Sequence, residues 1–138
     1  MAWEFAKCLT SPTSVPPVLR YPVGTGGVTK GMPVKLGAGG DANKVVAKAG
    51  GTNTDRPFGV AMGTVAAGGF VEVIPAMPNV VFTIKLGNGS APVAGTKYGL
   101  TAGLDLDQAN VTQMMVKVIE PTPDRSGYFN CIGYDWLA

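Results

Sequence analysis

Apolar positions along this chain recur with a period of two. In "FVEVI" (70–74), Phe70, Val71, Val73 and Ile74 sit around a single outward Glu72. "GVTKGMPVKL" puts Val34 and Leu36 on one face and Lys35 on the other, as alternate residues of a strand require. "FGVAMGTV" aligns Phe58, Val60 and Met62 in the same way. "KVVAKA", "NVVFTIKL", "VTQMMVKVIEP" and "YFNCIGYDWL" read as further strands, and β-branched residues are frequent in them. Turn sequences divide the series: "GAGGDAN", "AAGG", "GNGSAPVAGTKYG" and "TPDRSG". "LTAGLDLDQAN" has no clear period and reads as a short helical turn or a loop. The pattern predicts seven to nine strands, spaced as in all-β sandwiches and small barrels.

The two halves echo each other. "VTKGMPVKL", "KVVAKA" and "PFGVAMG" answer to "PVAGTKYGL", "TQMMVKV" and "FNCIGYD". Each series has a Gly-led hairpin, an alternating strand and a final strand with an aromatic residue. Two related β-units packed together would produce this. So would chance likeness among Gly-rich β segments.

Before Gly24 the pattern changes. "LTSPTSVPPVLRYPVG" holds Pro12, Pro16, Pro17 and Pro22, which remove donors and disfavour helix in the residues before them. Residues 1–23 are expected to form an extended, partly polyproline-like arm, and 24–138 the β-rich domain. Trp3 and Phe5 lie near the free end of that arm. Two roles are open to them: tucked into the domain's own core, or anchoring the arm on another subunit, where aromatic residues are favoured. Val15, Pro16, Pro17 and Tyr21 of the arm join them as candidate interface residues. So do Tyr134 and Trp136, which alternate on the last strand and equally suit core packing.

Composition narrows the picture. With 138 residues and 46% of them apolar, one domain has material for a core. Twenty Gly and eleven Pro oppose helix. Charged residues make up only 14%, below the usual quarter, so small polar groups, glycine or a partner must cover the surface. The net charge is +2, with Lys and Arg scattered singly from Lys7 to Arg125. That leaves no basic face for nucleic acid. No run of eighteen apolar residues is present, so no membrane span is expected. "MAWEFAKCLTSPTS" lacks the apolar region of a signal peptide, which points to a cytoplasm, or release from one by lysis. Cys8 and Cys131 are then expected as thiols rather than a disulfide.

Candidate chemistry is sparse. The chain has no His, which excludes Ser-His-Asp and Cys-His sites and the common zinc sites. A nucleophilic Cys8 would need some other activation. Of nine carboxylates only Asp105 and Asp107 form a close pair. The twelve-residue calcium loop with its terminal Glu is absent, and a solvated turn is the expected reading. "GTGGVTKG" (24–31) has the wrong spacing for a phosphate loop and precedes no predicted helix. No catalytic residue, metal or cofactor is therefore expected, and no enzyme. The tyrosines and tryptophans are too dispersed to make a carbohydrate-binding row. A charge-poor β domain with an extended arm suits binding to another protein, where extended segments add strands to sheet edges.

At "GGVTKGMPVKLGAGGDANKVVAKA…RPFGVAMGTVAAGGFVEVI" the chain resembles the small capsid decoration, or cement, proteins of tailed bacteriophages. Their pattern runs G-x-V-x-x-G-x-P-V, a turn, a short strand, an apolar residue with G-V-A, then A-A-A-G and V-x-V. Gly27, Val28, Gly31, Pro33 and Val34 match it, followed by Gly59, Val60, Ala61, Ala66, Ala67, Gly68, Val71 and Val73. The match covers about a third of the chain. The resemblance implies a compact β-tulip-like domain with an N-terminal arm. It implies trimers on the outer capsid surface, clamping neighbouring major capsid protein subunits of a virion made in the host cytoplasm. No catalytic residue comes with it. The competing reading is another phage structural β domain, from a tail, a baseplate or the base of a head fibre.

Overall fold

The computed structural model describes residues 3–9, 18–48, 50–51, 57–77 and 79–133. The first half of the chain supplies strands β1 (Glu4–Cys8), β2 (Leu19–Pro22), β3 (Pro33–Leu36), β4 (Val45–Ala47), β5 (Gly59–Ala61) and β6 (Phe70–Pro75). The second half supplies β7 (Val80–Asn88), β8 (Lys97–Leu100), β9 (Leu106–Asp107), β10 (Val116–Pro121) and β11 (Tyr128–Gly133). A single 3-10 turn at Gly39–Asp41 is the only helical element among the described residues. The chain is all-β, as its period predicts.

The strands form two five-stranded units and one addition. In the C-terminal unit the order is β7-β11-β10-β8-β9. Its ring closes because β9 also pairs, in parallel, with the far end of β7. In the N-terminal unit the order is β2-β6-β5-β3-β4. That sheet curls until Val23, just past β2, bridges Val45 of β4, again in parallel. β1 lies outside both orders and pairs antiparallel with the first half of β7.

Replacing β2–β6 by β7–β11 turns one strand order into the other. The registers agree as well: Val23↔Val45 and Leu36↔Val45 in the first unit match Leu86↔Leu106 and Leu100↔Leu106 in the second. Hydrogen bonds outside the ladders repeat too. Gly31 N donates to Ala61 O at 2.8 Å, and Gly95 N to Val118 O at 2.8 Å. Val23 N donates to Gly69 O at 2.9 Å, and Leu86 N to Gly127 O at 2.8 Å. Left-handed residues coincide, with Asn43 at φ 62° beside Leu104 at 66°, and Gly31 at 82° beside Gly95 at 85°. The chain is one five-stranded fold built twice. The echo is therefore structural, but only its first pair is in register. "VTKGMPVKL" lies on "PVAGTKYGL", while β4 of "KVVAKA" corresponds to β9 and β5 of "PFGVAMG" to β10.

Each unit has its own core. Val23, Val34, Val45, Ala61, Val71 and Val73 fill the first. Tyr98, Leu106, Val118, Phe129 and Cys131 occupy matching positions in the second, with Phe82 and Ile84. The second core also takes in Val60 and Ile74, the immediate neighbours of Ala61 and Val73 on β5 and β6. Successive strand residues point to opposite faces. β5 and β6 thus bury both faces, one in each core, and join the units. Gly59 lets them pass closely, since a Cβ there would lie 2.5 Å from the Ile74 carbonyl oxygen.

Three expectations are corrected. Within residues 1–23, read as an extended arm, the described segments Glu4–Cys8 and Leu19–Pro22 are strands of the two sheets. Proline blocks helix, but it does not block a short edge strand. Phe70 is not a core residue; it is 57% exposed, on the face of Glu72 two residues on. Leu36 shares a face with Val34 but lies at the strand end, 49% exposed.

Candidate interaction surface

Among the described residues, no three His, Cys, Asp or Glu side chains gather where a metal could be held. Asp105 lies in the turn that leads into β9 and Asp107 on that strand, on either side of Leu106. Asp107 Oδ1 accepts from Asn88 Nδ2 at 2.9 Å and from Ala109 N at 3.0 Å, which ties β9 to β7. No disulfide joins Cys8 and Cys131. Burial pushes the Cys131 thiol up to about 12, so it stays protonated and unreactive.

The best-built contact in the molecule is the seat of β1 on the C-terminal unit. Trp3 is buried, 6.0 Å from the Phe82 ring centre to centre. Its Nε1 donates to the Leu104 carbonyl at 2.8 Å, and its backbone N to the Gly31 carbonyl at 2.7 Å. Left-handed backbone is costly for leucine. The turn that holds Leu104 there presents its carbonyl to the indole. Phe5 lies opposite Phe82 and packs, half-buried, on the same core. Polar groups fasten the rest of the strand. Lys7 Nζ is 3.5 Å from Glu120 Oε1, and Glu120 Oε2 accepts from Asn130 Nδ2 at 3.1 Å. Asn130 Oδ1 in turn accepts from the hydroxyls of Thr83 and Thr122 at 2.8 and 3.0 Å. Arg125 Nη1 donates to Glu4 Oε2 at 2.8 Å and stacks 3.8 Å above Tyr128. That hydrogen bond holds the guanidinium above its ordinary value.

Of the eight candidate interface residues, Val15, Pro16, Pro17, Tyr134 and Trp136 lie outside the described residues. The other three pack within the chain. Trp3 is a core residue, the first of the two roles open to it. Phe5 is half-buried, and Tyr21 meets Phe58 edge-on at 5.1 Å against the first core. The exposed apolar residues are elsewhere. Val18, Leu19, Leu36 and Phe70 are all more than a third exposed on the N-terminal unit, as are Val93 and Val111 on the C-terminal one. Arg20 lies 5.0 Å over the Phe70 ring. A shallow apolar cleft of about 260 Å³ runs between β1 and that unit, with Lys30 and Glu4 among its lining. The alternation of "VLRYP" could have marked β2, had its prolines not argued for an arm.

Comparison with models of known protein families finds no match, and comparison with curated proteins finds no similar sequence.

Proposed function

We propose that this chain is a structural virion protein that sits on the outer surface of a tailed-phage capsid, as a trimer, and ties neighbouring major capsid subunits together. The observation that supports this reading most directly is where the decoration-like residues fall. They are consecutive parts of one unit. Gly31, at φ 82°, makes the turn before β3; Pro33 and Val34 open β3; Gly59–Ala61 is β5; Val71 and Val73 fill the core from β6. The motif thus falls within one packed β-unit, the kind of body that a clamp between subunits needs.

The mechanism is mass action. A protein that binds the assembled shell and not its separate subunits stabilises the shell by its binding free energy. Modest contacts repeated by symmetry then resist internal pressure. The low charge of 14% suits a body that covers much of its surface against a partner.

Co-sedimentation of the full chain with purified capsids tests the reading. Saturable binding to mature shells at a fixed ratio to capsid subunits is expected. No binding to mature shells refutes it. Removing residues 1–23 is the wrong control, because it deletes β1, β2 and Trp3 and so attacks the cores themselves.

A further inference from the structure

The two units differ at one matching place. In the C-terminal unit β1 covers the outer edge of β7, with Glu4 opposite Thr83 and Phe5 opposite Phe82. The matching edge of the N-terminal unit is β2. Leu19 pairs with Val73 as Phe82 pairs with Cys131, and Val73 and Cys131 are themselves matched through Ala61 and Val118. Arg20 therefore stands where Thr83 stands, and Val18 where Val81 stands. Among the described residues no strand pairs with the outer side of Val18–Arg20.

Burial records the difference. Val18, Leu19 and Leu36 are 41%, 43% and 49% exposed, whereas their counterparts Val81, Phe82 and Leu100 are 0%, 1% and 2% exposed. Trp3, carried by the chain just before β1, shares the buried cluster of Phe82 and Leu100. The backbone is also set to receive a strand. Glu72 gives its carbonyl to Met62 N on the β5 side, so the Arg20–Glu72 pair is not hydrogen-bonded. Arg20 must then turn its own N–H and C=O outward. Pro22, without an N–H, ends the receptive stretch, just as β1 reaches no further along β7 than Thr83.

We infer that the β2 edge of the N-terminal unit accepts an extended strand of another polypeptide, antiparallel to β2, with a carboxylate opposite Arg20 between two aromatic residues. β1 is the template: "WEF" at 3–5 sets Glu4 between Trp3 and Phe5. Two copies of β2 meeting edge to edge would bring Arg20 near Arg20, so the edge disfavours its own kind and selects an acidic visitor. The inference is independent of the capsid reading.

The test uses the isotope-labelled full chain and a synthetic peptide of residues 3–9 with Ser in place of the cysteine. Saturable amide shifts and slowed exchange are expected at Val18 and Arg20, with β7 unchanged. Arg20→Glu should weaken binding about fivefold, the worth of one cross-strand ion pair. A peptide carrying Glu4→Lys should regain affinity for that variant. Three outcomes overturn the inference: no saturable shift on β2 in large peptide excess, binding indifferent to Arg20→Glu, or shifts confined to β7 through displacement of β1. Protection of the β2 edge that grows with protein concentration alone would also overturn it, by assigning the edge to a second copy.

Discussion

Replacing Trp3 with Ala separates a core strand from a free arm. Trp3 is 3% exposed, packs against Phe82 and donates its indole N–H to Leu104 O at 2.8 Å. Truncating a buried aromatic residue costs about 3–5 kcal/mol. The orphaned Leu104 carbonyl accounts for about 1 kcal/mol of that. A domain of this size has about 5–15 kcal/mol in total, so the loss is about a fifth of the stability or more. Trp3→Phe keeps much of the packing but gives up the hydrogen bond and some volume, so about 1–2 kcal/mol is expected. Urea unfolding should be followed by far-ultraviolet circular dichroism, because Trp3 is one of two tryptophans and its loss alters fluorescence. The midpoint should fall with the slope unchanged, further for Ala than for Phe. A cost below about 1 kcal/mol for Trp3→Ala would mean that the ring is not in the core. The N-terminal segment would then be the arm that its prolines predict.

Two further outcomes follow from the fold. Gly31→Ala and Gly95→Ala place a side chain at φ 82° and 85°, so each should cost about 1 kcal/mol or more. A neutral result for either in the same urea assay would contradict the matched turns. Burial raises the Cys131 thiol from 9.0 to about 12, so the folded chain keeps a proton that the unfolded chain releases. The stabilisation is complete below pH 9 and is lost as pH rises towards 12, by up to about 4 kcal/mol. Urea midpoints measured from pH 8 to 11 should therefore fall more steeply for the natural chain than for Cys131→Val. Parallel curves would refute the burial argument.

Strand period carried most of the fold. "FGVAMGTV", "FVEVI" and "NVVFTIKL" fall on β5, β6 and β7 because each spans enough alternating residues to declare its faces. β9 has two residues inside "LTAGLDLDQAN", which reads as a short helical turn or a loop, and most of β8 lies in the Gly-rich "GNGSAPVAGTKYG", which reads as a turn. β1 and β2 were obscured by prolines, whose lack of an N–H matters in a central strand but not at an edge. Burial was less legible than pairing, since alternation fixes which residues share a face but not what covers that face. Val34 and Leu36 share one, yet Val34 is wholly buried and Leu36 half exposed. Leu100, the counterpart of Leu36, is buried beside Trp3, which comes from almost a hundred residues away in sequence. The exposure of the β2 edge was hidden for the same reason. An exposed Leu19 is defined only against a buried Phe82, and that comparison requires the two units to be laid on each other strand by strand. The sequence echo invited that step but aligned two of its three pairs one element out of place. Once the hydrogen bonds set the alignment, the difference between the units among the described residues is one strand and one indole, which lie on the second and not on the first.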